Sequence, residues 1–215
     1  EPHFALYFTP EHVAMARANA SVPPFDEAWE ALRQRQPAHP LDFAFRALLL
    51  EEPDSARQAL GGLLRQANAG LGAERYAGRA SRFVACLQAF EIVRGLPSLE
   101  WGEAAQWLDY AAEAGTALLG EADLLPHEAL WRNLVRLALA IALEQPDQAQ
   151  ASVDEFRRVI AEDVRPQGFI SAVVAGGDGG SLFRQIGAAA APVVAAGAGQ
   201  KGGCGPGGFL GGGGL

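Results

Sequence analysis

Leu50-Glu51-Glu52-Pro53-Asp54-Ser55-Ala56 and Leu143-Glu144-Gln145-Pro146-Asp147-Gln148-Ala149 are two versions of one signal, and their reading decides the fold. In each, an apolar segment with helical spacing runs up to an acidic residue. Pro then stops the helix, because it has no backbone N–H and its ring clashes with the preceding turn. Asp is placed to cap a second helix, and an Ala-rich amphipathic stretch follows. A connection this short forces the two helices to lie antiparallel.

Working outward, the same kind of signal recurs. Phe8-Thr9-Pro10-Glu11 opens a first helix: Thr9 is a capping residue, Pro10 suits the first helical position, and Glu11 suits the positive helix end. Pro23-Pro24 ends that helix, and Asp26 starts another that carries Trp29 and Leu32. Residues 74–94 and 103–119 both space their apolar residues helically, separated by Gly95-Leu96-Pro97. The reading is an all-α chain of about seven helices in antiparallel hairpins. No fixed period of ~34 residues recurs, which argues against a tetratricopeptide array.

Composition agrees. Hydrophobic residues make up 49% of the 215. Ala and Leu are abundant and β-branched residues sparse, which favours helix over sheet. The net charge of −8 and the lack of any Lys/Arg run exclude non-specific nucleic-acid binding, which needs a basic surface. Cys86 lies in an apolar helical stretch and reads as a small core residue; with Cys204 alone beside it, no metal spacing exists and no disulfide is inferred. No apolar run reaches the ~18 residues of a membrane span. The chain starts at Glu1 rather than Met, as a processed or incomplete product would, so a removed export signal stays open.

The texture changes from Gly176 onward. Gly176, Gly177, Gly179 and Gly180 cluster, and the chain ends in glycine-rich sequence that cannot bury enough apolar area to offset its ordering entropy. The expected division is a helical domain over 1–195 and a Gly-rich tail over 196–215, with 197–215 disordered if the identities written there are right. The glycine cluster lacks the Lys of a phosphate loop. His3, His12, His39 and His127 form no metal-binding pattern, and no Gly-x-Ser-x-Gly elbow occurs, so no cofactor and no metal are expected.

Several segments, taken in order, carry a family resemblance. They are His3-Phe4-Ala5-Leu6-Tyr7-Phe8-Thr9-Pro10-Glu11, Pro23-Pro24-Phe25 through Leu32, residues 45–64, residues 83–96, residues 127–142 with Pro146-Asp147, and Arg165-Pro166-Gln167-Gly168-Phe169-Ile170 onward. Together they resemble the alginate-lyase and heparinase-like polysaccharide lyases. The resemblance implies an incomplete (α/α) toroid whose cleft takes an acidic, uronate-containing polysaccharide, in a periplasmic or secreted protein. It also implies that residues 127–142 form the helix bearing a catalytic histidine. The chain departs from the family in two places. Pro126-His127 stands where an Asn-His pair is usual, and Ser181-Leu182-Phe183-Arg184 where a Tyr is usual.

A uronate lyase removes a weakly acidic proton beside a carboxylate and expels the sugar oxygen, so it needs a base, an acid and a cation on the carboxylate. His127 is the candidate base or carboxylate partner, since imidazole titrates nearest neutrality. Arg184 is the candidate two-point grip on the carboxylate. Trp131, four residues after His127 and on its face, and Arg132 are the candidate substrate-binding residues. The plainer alternatives are that Trp131 is core and that Glu128 and Arg132 form a surface ion pair. Arg132, Arg136, Arg157, Arg158 and Arg165 either focus positive potential for a polyanion or are simply a solvated face. From a different class comes the alternative function, a non-catalytic helical-hairpin interaction scaffold.

Overall fold

The structure is a computed structural model that describes residues 8–96 and 101–163. All of them fall in one contact unit, Glu1–Gly179, so both the boundary expected at 195/196 and the Gly-rich tail lie outside the described residues. Among the described residues there are eight α-helices and no strand: α1 (Pro10–Ala18), α2 (Phe25–Gln34), α3 (Pro40–Leu49), α4 (Pro53–Ala69), α5 (Tyr76–Arg94), α6 (Trp101–Leu119), α7 (Pro126–Ala142) and α8 (Pro146–Asp163). That is one more than the spacing suggested.

Helix starts follow local chemistry. The Thr9 hydroxyl accepts from the His12 N–H while the His12 ring Nδ1 accepts from the Thr9 N–H, both at 3.3 Å. At α3, His39 Nδ1 accepts from Leu41 N–H, and Asp42 Oδ2 accepts from the N–H groups of Ala38 and His39. The two Pro turns end and restart helices as expected, with one correction. Pro53 and Pro146 occupy the first helical position, so Asp54 and Asp147 fall inside the first turn instead of capping it. There they still complement the helix end electrostatically.

The helices stack as two layers of hairpins. Arg79, early in α5, reaches Glu121 just past α6, while Phe90, late in α5, meets Trp107, early in α6; these two helices run oppositely. Arg94 at the end of α5 bonds the carbonyl of Ala142 at the end of α7, so α5 and α7 run the same way. Arg17 at the end of α1 reaches the Leu48 carbonyl near the end of α3, which aligns that pair likewise. Odd helices pack side by side, α1 on α3, α3 on α5, α5 on α7, and α4 packs on α6. An all-α chain of antiparallel hairpins is therefore what the described residues form. α2 is peripheral and buries no residue.

The core lies along α5, where Phe83, Leu87, Phe90 and Val93 are almost fully covered, and it continues through Trp107 and Leu118 of α6. Each such side chain contributes about 1.5–3 kcal/mol by leaving water. Gly115 lets α6 approach α7: a Cβ there would collide with a methyl of Leu139. α7 and α8 are joined in the interior by Asn133, whose amide donates to the Ser152 carbonyl at 2.9 Å.

Candidate functional site

The amino ends of α5 and α7 lie at the same end of the stack, where α7 carries two of the sequence-named residues, His127 and Arg132. His127 is the second residue of α7 and is half-buried. Glu128 turns back so that its Oε2 accepts from the Leu125 N–H at 3.0 Å. It is thus spent on the helix end, and the expected Glu128–Arg132 ion pair does not form. Arg132, half-buried one turn further on, acts electrostatically on the Tyr76 hydroxyl at the first position of α5.

Tyr76 is the residue that sequence reading missed. It is only 4% exposed, and its hydroxyl finds no hydrogen-bond partner. Burial pushes its pKa up to about 12; Arg132 pulls it down, while Glu121 pushes it further up. Tyr76 therefore keeps its proton at neutral pH and is a donor, not a base. Beside it, Arg79 Nη2 donates to both oxygens of Glu121 at 2.7 Å, and the Arg79 Nε–H stays unpartnered. A Tyr opening a helix carries no pattern that would have marked it.

Trp131 sits elsewhere. It is 8% exposed and packs into the core, so its indole has little face to offer a sugar. Exposed ion pairs within one helix decide the fate of much of the positive charge counted along the chain. Arg157 pairs with Asp154, and Arg158 with Glu155 and Glu162, all within α8. Arg132 and Arg136 on α7 remain. Arg165 and Arg184 lie outside the described residues.

Two other clusters compete for attention. His39 Nε2 lies 3.9 Å from Cys86 Sγ. Because His39 Nδ1 already accepts from Leu41, Nε2 carries the proton and points it at sulfur. Burial pushes the Cys86 thiol up to about 12, so this pair is a core contact and not a nucleophile with its base. An open hollow of about 500 Å³ lies at the α3–α4 turn, lined among others by Phe43, Arg46, Glu52, Asp54 and Gln58. Arg46 grips Glu52 there with two bonds of 2.9 Å, leaving little unsatisfied polarity for a ligand. Among the described residues no group of His, Cys, Asp or Glu stands ready to hold a metal ion, and no helix is long and apolar enough to cross a membrane.

In comparison with known proteins, no family model, no curated protein and no solved structure matches the chain.

Proposed function

We infer that the chain is part of the helical framework of a polysaccharide lyase-like protein, and that the amino ends of α5 and α7 receive the carboxylate of an acidic sugar. The observation that supports this reading is that Arg132 acts on the buried, unpartnered Tyr76 hydroxyl at the end of the helical stack where His127 opens α7. A cation, a fixed O–H donor and a helix amino terminus all favour a bound carboxylate. His127, one residue inside α7, takes the role of base in β-elimination, as the family resemblance implies. The ordered family-like segments of the sequence support the same reading.

The test is the near-ultraviolet absorbance of the C4–C5 double bond that β-elimination creates. Alginate, heparin, chondroitin and hyaluronan serve as substrates, each paired with a direct binding measurement. His127→Ala abolishes product while leaving helical circular dichroism intact. Tyr76→Phe and Arg132→Ala weaken glycan binding. Neither product nor binding on any of the four polymers rejects the reading. The second reading, a non-catalytic interaction scaffold, then stands; it is favoured by the burial of Trp131 in the core.

A further inference from the structure

We propose that Glu121 is a built-in stand-in for the ligand's carboxylate, and that Arg79 takes the acidic sugar once Glu121 yields. The proposal rests on the carboxylate-receiving role given above to this end of the stack, and adds to it a gripping residue and a gate.

Arg79 Nη2 donates to both oxygens of Glu121 at 2.7 Å. One nitrogen thus holds the whole carboxylate, which is not the two-nitrogen fork that guanidinium and carboxylate form at their strongest. The Arg79 Nε–H, on the same edge of the guanidinium as Nη2, is buried and unpartnered. A buried donor without a partner costs free energy that a new acceptor recovers. A carboxylate arriving in place of Glu121 can span Nε and Nη2 together. The Tyr76 hydroxyl is a second spare donor. It is buried and unpartnered, and Arg132, Glu121, Arg79 and Glu128 all act on it.

Glu121 is placed to leave. It is the second residue of the irregular link, residues 120–125, that joins α6 to α7. Gly120, Ala122 and Asp123 beside it are exposed. The Glu121 side chain is itself 34% exposed and that of Arg79 20%, so water and a small acid reach the pair, and an ion pair this open is easily exchanged. Glu128 is tied differently, since its carboxylate accepts from the Leu125 N–H at the start of α7. With Glu121 in place, Arg79 and Arg132 are balanced by Glu121 and Glu128. With Glu121 swung out, positive charge is in excess around the Tyr76 hydroxyl, which is the condition an incoming anion needs.

The test is calorimetric titration of the full chain with glucuronate, with glucose as the uncharged control. The parent binds glucuronate weakly, because the pair must open first, and Glu121→Gln binds it at least about fivefold more tightly. Adding Arg79→Gln to that variant removes the gain. In the parent, saturating glucuronate speeds amide hydrogen exchange at residues 121–124, which an ion pair of purely structural role would not do. Should Glu121→Gln lose its helical circular dichroism, the exchange measurement on the parent decides alone. Three results overturn the gate while leaving the carboxylate-receiving reading in place: equal glucuronate affinity in parent and Glu121→Gln, a gain that survives Arg79→Gln, or binding to the parent that leaves exchange at residues 121–124 unaltered. Absence of glucuronate binding in parent and variant alike overturns both.

Discussion

The turn at residues 50–52 and the turn at residues 143–145 share one skeleton. Each has a Glu with positive φ, 58° at Glu51 and 56° at Glu144. Each has an arginine from the end of a neighbouring odd helix that bonds a carbonyl in the last turn of the helix and pairs with that same Glu. In the first turn this is Arg17, on Leu48 and Glu51; in the second it is Arg94, on Ala142 and Glu144. What differs is the surroundings. The first turn is fastened at the surface, with Arg46 gripping Glu52 and Ser55 donating to it. The second is fastened from inside. Arg94 is 7% exposed, and its Nε stands 3.2 Å from an oxygen of Glu91, which is 2% exposed. The pair is close but poorly aligned, since neither Glu91 oxygen has a hydrogen bond. One backbone motif can thus be held by screened pairs or by a desolvated arginine, and the energetic consequences diverge.

The largest effect that would break this comparison is Arg94→Ala. Above neutral pH it leaves a buried carboxylate with its nearest cation gone, and should cost about 3 kcal/mol or more in urea unfolding. Arg17→Ala, the matching change at the surface, should cost below about 1 kcal/mol. Equal losses at the two sites would refute the distinction.

Next in size is the pH dependence of the inner pair. Burial raises the Glu91 carboxyl from 4.5 to about 7, outweighing the opposing pull of Arg94. Folding therefore favours its protonated form. Its contribution is fully present below the unfolded value and is lost as pH rises through about 7. Glu91→Gln mimics the protonated form and should flatten the stability profile over that window, with a gain at pH 8 of about 2 kcal/mol. A variant that follows the same slope as the parent would place the titration on another group.

Smaller again is Glu52→Gln. Its carboxyl is held below the usual range first by the Arg46 hydrogen bonds, against a smaller upward push from burial. Its contribution is present above the unfolded value and lost as pH falls through the folded one. At about a third exposed it should be worth under about 1 kcal/mol at neutral pH. The smallest expected change comes from Glu51→Gly and Glu144→Gly. Relief at a positive φ offsets the lost ion pair in each, for a net within about 1 kcal/mol by thermal melting.

The hairpins were legible in the sequence because Pro and helical spacing act locally; both Pro turns, the Thr9 cap and the core role of Cys86 are where they were read. The Asp residues were misplaced for a local reason as well: Pro at the first helical position pushes the next residue inside the helix. The inner fastening was half visible, since Glu91 is an acid inside an apolar run with Arg94 three residues on. Its link to Ala142 was not visible, because nothing in a single sequence encodes which helix ends meet. The same holds for the candidate site. His127 and Arg132 stand out as residue types, but Tyr76 comes under the influence of Arg132 only through the stacking of α5 on α7. Trp131 went inward because its face of the helix is the buried one, and a spacing of four from His127 could not say which face that would be.

The parallel course of the odd helices has an electrostatic consequence. Their peptide dipoles add within one layer and are opposed by those of the other layer, so the stack carries a two-plate field that is felt at its rims and fades within a few ångströms of them. At the rim where carbonyl ends gather, Arg17 and Arg94 supply cations that neutralise it. At the opposite rim the amide ends of α5 and α7 gather beside Tyr76 and His127, and the glutamates there are tied to Arg79 and to the α7 cap. In a chain of net charge −8, the helix dipoles thereby offset the local negative charge along this edge of the described residues only at contact range, and not at a distance.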